Sequence, residues 1–259
     1  MATTTGSAQK ERVRSFWEDE PCGSVYSDAP EGTREFFDEI ERNRYRVEPH
    51  IIPFADFEGA RGKRVLEIGV GMGTDFMQFA RAGAVATGVD LTQHGVDLVR
   101  RRLELEGLEA EVKVADAESL PFDDGTFDRV YSWGVLHHTP DTEKAVREAV
   151  RVLRPGGEAY VMLYSRHSWV TYALWTRFGL LRGRPWRSLR EILAHHMESE
   201  GTRGFTKGEL RAMFDGLTDL TVEKVGTPYD RKIAGPLAAV TGSRLGWWLT
   251  IRGRKPSAG

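Results

Sequence analysis

Residues Arg64-Val65-Leu66-Glu67-Ile68-Gly69-Val70-Gly71-Met72-Gly73-Thr74-Asp75 constrain this 259-residue chain more than any other segment. A short apolar run rich in β-branched residues is followed by a glycine at every second position, then by residues able to start a helix. That pattern reads as a buried parallel strand turning sharply into a helix N-terminus. Glycines at such a turn let the backbone pass close to a ligand and adopt angles closed to other residues. The spacing is G-x-G-x-G, and Thr74 stands where a dinucleotide-binding G-x-G-x-x-G carries its third glycine. Glu67 precedes the first glycine by two positions, where its charge opposes a pyrophosphate and suits a ligand with a cationic end.

From Lys63 onward strand and helix patterns alternate. Strands are expected at 64–68, 84–90, 111–115, 127–133 and 158–163, and helices at 74–81, 94–106 and 141–153. Such alternation builds a parallel sheet covered on both faces. Leu153-Arg154-Pro155-Gly156-Gly157 breaks the third helix before the fifth strand. Upstream, helices are expected at 10–17 and 33–46, separated by a loop that Pro21, Gly23 and Pro30 punctuate. Downstream, residues 164–205 hold an aromatic-rich helix at 168–181, an Arg-rich stretch through Arg190 and a helix to about Glu198. Thr206 and Glu209 form a capping box opening a helix to about Phe214, and two strands near 220–225 and 246–252 close the pattern. Residues 1 to about 8 and the tail from about Arg254 read as disordered.

Three more motifs carry chemistry. Thr87-Gly88-Val89-Asp90-Leu91 ends a β-branched strand in an acid, about 20 residues beyond the glycine loop, the distance at which such folds place a carboxylate on ribose hydroxyls. Alone, an acid there is a cap or turn former. Val114-Ala115-Asp116-Ala117-Glu118-Ser119-Leu120-Pro121-Phe122 follows the third strand, where Asp116 is either a ligand acceptor or a capping residue and Glu118 is expected to be solvated. Phe127-Asp128-Arg129-Val130-Tyr131-Ser132-Trp133-Gly134-Val135-Leu136-His137-His138-Thr139-Pro140 ends on the carboxyl edge of the sheet, where open α/β folds place reacting groups. Adjacent histidines point in different directions, so His137 and His138 do not suggest one metal site, and none is expected elsewhere. Each is a packing residue or a general base.

Together these motifs and Leu153–Gly157 cover residues 63–163 and resemble the class I S-adenosylmethionine-dependent methyltransferases of the type 11, ubiquinone/menaquinone-biosynthesis-like subgroup. The resemblance implies an α/β, Rossmann-like fold with a seven-stranded, mostly parallel sheet, helices on both faces and an antiparallel last strand. To this the chain adds N-terminal helices and a helical insertion after the fifth strand. An N-terminal helical cap over 1–60 and a methyltransferase domain over 61–259, with a lid at 164–205, are the expected divisions. The implied cofactor is S-adenosylmethionine. Glu67, Gly69, Gly71 and Gly73 would hold its amino-acid end, Asp90 and Leu91 the ribose, and Asp116 and Ala117 the adenine. Trp133 is a core aromatic or a wall of that site. Tyr26, Trp169, Tyr172, Trp175 and Phe178 are candidates for the acceptor pocket or for the core. The 168–181 helix is apolar almost all round, which suits deep burial, a dimer contact, a pocket wall or an interfacial position. The Arg positions after it suit a solvated face or an acidic acceptor.

The activity implied is methyl transfer by in-line displacement to O, N or C of a small-molecule acceptor: a natural product, lipid or quinone-like compound. Two alternatives remain: a cofactor binder that does not transfer methyl, and a methyltransferase of peptide or nucleic acid. A dehydrogenase is disfavoured by Glu67 and Thr74. The formal net charge of −2 gives no global attraction to nucleic acid, and Trp133-Gly134-Val135-Leu136 stands where nucleic-acid methyltransferases carry Asn/Asp-Pro-Pro-Tyr/Phe. Cys22 is the lone cysteine, which excludes an internal disulfide and fits a cytoplasmic setting. No apolar run approaches the roughly 20 residues of a bilayer span, so membrane contact would be peripheral. Monomer and homodimer are both compatible with the sequence.

Overall fold

The computed structural model describes residues 2–257, with side chains from residue 6. The strands are β1 (Arg64–Ile68), β2 (Val85–Asp90), β3 (Glu111–Val114), β4 (Phe127–Trp133), β5 (Leu153–Tyr164), β6 (Thr218–Val225) and β7 (Trp248–Arg254). They form one sheet in the order β3-β2-β1-β4-β5-β7-β6. β1 to β5 pair in parallel, and β7 runs antiparallel to both β5 and β6. The seven-stranded, mostly parallel Rossmann-like sheet expected from the sequence is present. Period-2 alternation builds it. In β5, Ala159, Val161 and Leu163 enter one core while Tyr160, Met162 and Tyr164 enter the other. Helices α4 (Thr74–Arg81) and α5 (Gln93–Glu106) cover one face, with Phe76, Phe79, Val96 and Val99. Helices α6 (Thr142–Arg151) and α9 (Lys207–Met213) cover the other, with Ala145, Val146, Ala149 and Leu210.

The expected boundaries differ in four places. Helix α1 runs Ala2–Asp19, so residues 2–8 of the stretch expected to be disordered join the helix, residue 1 lying outside the described residues. The Leu153–Gly157 segment is already strand, because Leu153 pairs with Phe127 before the register shifts. The tail is tied down at Lys255: its amide donates to the Gly157 carbonyl and its ammonium to the carbonyls of Arg151 and Leu153. The aromatic helix α7 is shorter than expected, Trp169–Phe178, and α8 (Leu189–His196) follows the Arg-rich stretch.

Two helices between β6 and β7 were not expected: α10 (Pro228–Ala234) and α11 (Pro236–Thr241). Thr227 and Asp230 make a capping box with Pro228 at the first helical position, a signal that was present in the sequence.

Helix α2 (Arg34–Val47) is clamped to the parallel units. Glu41 accepts from Arg81, at 2.8 and 3.0 Å, and from the fully buried Arg102. After α3 (Ile51–Ala55), the carbonyls of Ala55 and Asp56 accept from buried Arg129 of β4 at 3.0 and 2.8 Å. At the carboxyl edge of the sheet, Arg44 and Tyr45 near the end of α2 donate to Asp75 at the start of α4, at 3.1 and 2.9 Å.

Candidate functional site

A cleft of about 600 Å³ opens over the carboxyl ends of β1, β2 and β4. The glycine loop forms its floor, and its three glycines answer three different constraints. Gly71 has φ +50°, and a Cβ built there would meet nothing within 4 Å. It faces open cleft. Gly69, at φ +81°, would place a Cβ 2.3 Å from the Val135 side chain, so the limit there is packing within the protein. Gly73 precedes α4 with φ +75° and would press a Cβ against Val99 at 2.9 Å; it is not part of the cleft wall.

Glu67 is buried at the end of β1, and its Oε2 has no hydrogen-bond partner among the described residues. Burial pushes its carboxyl well above the usual range, and the neighbouring Asp75 pushes it further, while Arg44 opposes the rise. Asp75, at the start of α4, is satisfied within the protein. It accepts from Arg44 Nη2 at 3.1 Å, Tyr45 Oη at 2.9 Å and Tyr131 Oη at 2.8 Å. Among the described residues, Glu67 Oε2 is thus a buried acceptor without a donor on the cleft wall. A buried acceptor without a partner costs about 1–3 kcal/mol, which a cationic ligand would recover.

Asp90 is held by three donors. Oδ2 accepts the Gly71 amide at 2.9 Å, and Oδ1 accepts the Thr92 amide at 3.0 Å and hydroxyl at 2.7 Å. Leu91 lies beside it on the wall. Further along, Asp116 and Ala117 both line the cleft. Asp116 receives Lys10 Nζ of α1 at 2.5 Å, and Glu118 receives the same ammonium at 2.7 Å. Glu118 is buried, contrary to the solvated position expected for it, because its Oε1 also accepts the Asp141 amide ahead of α6 at 2.9 Å.

The opposite end of the cleft is aromatic. Trp133 ends β4, donates from Nε1 to Glu48 Oε2 at 3.1 Å and packs edge-on to Trp248. The two histidines separate. His138 lines the cleft, its Nδ1 2.8 Å from Ser199 Oγ and 2.9 Å from Thr202 Oγ1, with Trp17 edge-on at 5.2 Å. Burial lowers its pKa to about 3, so the ring is neutral near pH 7. His137 is fully buried outside the lining, neither ring nitrogen has a partner, and the ring packs 3.8 Å from that of Tyr164. In this position it is a core residue.

Tyr26 reaches the cleft mouth; Trp169, Tyr172, Trp175 and Phe178 do not line it. Trp169 Nε1 donates to Thr241 Oγ1 at 2.9 Å, Trp175 Nε1 to the Arg187 carbonyl at 3.0 Å, and Phe178 stacks on His196 at 4.0 Å. Tyr172 meets His167 Nδ1 at 3.1 Å. From α7 only Val170 contributes to the wall, so the pocket expected on this helix is built elsewhere. Its roof comes from Val13, Phe16 and Trp17 of α1, the loop from Pro21 to Tyr26, and Met197 with Glu198 after α8.

The residues missed in the sequence sit mostly at this aromatic end. Arg44, Glu48, Tyr164, Glu198, Tyr229 and Trp247 line the cleft from five separate segments. Burial raises the Glu198 carboxyl; it accepts from Tyr164 Oη at 3.1 Å and lies 3.7 Å from His138 Nε2. Only the Trp247-Trp248 pair at the last strand carried a sequence signal.

With this geometry in place, a sequence profile of the family described as methyltransferase domain matches residues 66–161. Methyltransferase GfsG of Streptomyces halstedii is 33% identical over 151 residues, 52% of this chain and 54% of that protein. Fatty-acid O-methyltransferase of Mycolicibacterium smegmatis is 37% identical over 144 residues, 55% of this chain and 48% of that protein. The chain thus spans about half the length of the curated relatives it matches. Among solved structures, the cyclase SpnF superposes with a TM-score of 0.57 at 20% identity, over 98% of this chain and 96% of that one, a likeness of fold.

Proposed function

We propose that the cleft of this chain, whose residues 66–161 match the methyltransferase-domain family, binds S-adenosylmethionine and that the chain transfers a methyl group to O, N or C of a small-molecule acceptor. The observation that carries this reading is the buried, unpartnered Glu67 Oε2 beside the open face of Gly71. A buried carboxyl oxygen without a hydrogen-bond partner, next to a backbone that a ligand can approach, fits an ammonium-bearing amino-acid end. It does not fit a pyrophosphate.

Asp90, rigidly held by the Gly71 and Thr92 donors, has lone pairs to spare for ribose hydroxyls. Asp116 and Ala117 border the adenine end, and Trp133 walls the passage between the two halves. When bound, the cofactor supplies an activated methyl for in-line displacement by the acceptor. The protein's task is to orient both partners and exclude water. Residues 1–60 serve as the cap that does this, with α1 and the loop to Tyr26 roofing the acceptor end and 164–205 contributing Val170, Met197 and Glu198. Trp17, Met162, Tyr164, Met197 and Trp247 make that end a wall for an apolar acceptor. An oxygen or carbon acceptor needs a proton receiver, and His138 on the cleft wall, with Glu198 3.7 Å from its Nε2, is the candidate, its basicity to be raised by the bound acceptor.

Calorimetry tests the reading. S-adenosylmethionine and S-adenosylhomocysteine should bind and NAD should not; NAD binding with no response to either sulfur compound would overturn it. Mass spectrometry of extracts incubated with protein and methyl-labelled cofactor should then identify the acceptor.

A further inference from the structure

We propose that the rim of the cleft formed by α10 and α11 seats the cleft mouth on an anionic lipid surface, from which an amphiphilic acceptor enters. Val25, Tyr26, Tyr229 and Ile233 all line the cleft and all remain exposed, so they mark its mouth. Beyond Ile233 the exposed apolar surface continues along α11, where Leu237 is 58% and Val240 83% exposed. Singly exposed apolar residues are ordinary, but a contiguous group running into an apolar cavity marks an interaction site.

Charge selects the partner. Between Pro228 and Gly246 the only acid is Asp230. Its Oδ2 is turned inward, accepting the Thr227 amide and hydroxyl, each at 2.8 Å, and the Trp247 amide at 3.0 Å. Arg231, Lys232 and Arg244 are exposed on the same segment, and among the described residues none of them joins an ion pair. Apolar tips flanked by free cations are the composition of a segment lying in a headgroup layer. The tips project outward, as insertion between lipids requires, and Trp169 anchors α11 from beneath through its bond to Thr241. No helix among the described residues is long and apolar enough to cross a membrane, which leaves contact at the surface. That the docked cleft takes a membrane-held acceptor rests on the methyl-transfer reading; the docking itself does not.

Co-sedimentation of the full chain with vesicles tests it, without cofactor. Binding is expected to phosphatidylcholine vesicles containing phosphatidylglycerol, weak or absent on phosphatidylcholine alone, and reduced by salt. L237D/V240D should abolish it, and R231E/K232E should reduce it by about fivefold per cation. Leu237 and Val240 lie outside the cleft wall, so L237D/V240D should keep wild-type cofactor affinity, which also reports its fold. Vesicle binding without cofactor binding would leave the docking and remove the methyl-transfer reading. No partition of the wild type onto anionic vesicles would overturn the proposal, as would equal partition of L237D/V240D. A pull-down in which an acidic carrier protein binds and vesicles do not would assign the rim to a protein, and a homodimer dissociated by L237D/V240D would assign it to a second copy.

Discussion

Lys10 Nζ lies 2.5 Å from Asp116 Oδ2, joining a helix at the N-terminus to the loop after the third strand, 106 residues away. The same ammonium meets Glu118 at 2.7 Å, so one lysine holds the roofing helix against two acids of the floor. Its side chain is 26% exposed, and a partly screened pair of this kind contributes about 0.5–1 kcal/mol. Lys10→Met should leave the melting temperature almost unchanged while hastening proteolytic cleavage within residues 6–20. Unchanged cleavage would mean that α1 is held by its apolar contacts alone.

Glu67→Gln keeps the shape of the buried side chain and removes its charge. Cofactor affinity should fall by about 1.5–3 kcal/mol, the scale of a hydrogen bond to a charged group, with no loss of stability. Burial favours the neutral carboxyl in the free protein, whereas a ligand ammonium favours the ionised form. Binding should therefore release a proton, and affinity should rise with pH across the range in which the free carboxyl is protonated. Calorimetry in buffers of different ionisation enthalpy reads that proton. The Gln variant should lack it.

Gly71→Ala and Gly69→Ala should fail differently. Both impose positive φ on a non-glycine residue. At Gly69 the new methyl collides with Val135 inside the protein, so the melting temperature should drop. At Gly71 it enters open cleft, and the loss should fall chiefly on cofactor affinity. Equal melting temperatures with equal affinities would contradict the assignment of the loop.

Asp90→Ala should weaken cofactor binding by about 1.5–3 kcal/mol. It also leaves the Gly71 amide and the Thr92 donors without their acceptor, so stability should fall by about 1–2 kcal/mol as well. Wild-type affinity in this variant would reduce Asp90 to a loop anchor.

Glu209→Gln probes the capping box of α9. Burial disfavours the Glu209 charge, but Arg166 and the Thr206 amide and hydroxyl outweigh it and hold the pKa at about 2. With the folded value depressed, the stabilisation is present above the unfolded carboxylate pKa of about 4.3 and is lost as pH falls toward 2. The variant should be less stable by about 1–2 kcal/mol at pH 7, and the difference should vanish near the lower limit. Urea titrations at several pH values check this; a constant difference would point to packing instead.

The half of the cleft around Glu67, Gly71 and Asp90 was legible because its determinants are local. Strand, turn and acid follow one another within a few residues, so the pattern that makes β1 and β2 also aims Glu67, Gly71 and Asp90. Strand alternation sends Ala159, Val161 and Leu163 into one core and Tyr160, Met162 and Tyr164 into the other. The aromatic half was decided by contacts between distant segments. Helix α7 is apolar nearly all round, so its sequence gives no phase for turning a face toward the cleft. Packing against Thr241, Arg187 and His196 directs its aromatic rings away. His137 and His138 are neighbours of the same type, and only Tyr164 on one side and Ser199 with Thr202 on the other determine which is core and which is wall. Glu118 reads as a solvated loop acid until Lys10 and the Asp141 amide enclose it. A local pattern specifies which side of its own element is buried; what that side is buried against depends on chain that returns from a hundred residues away.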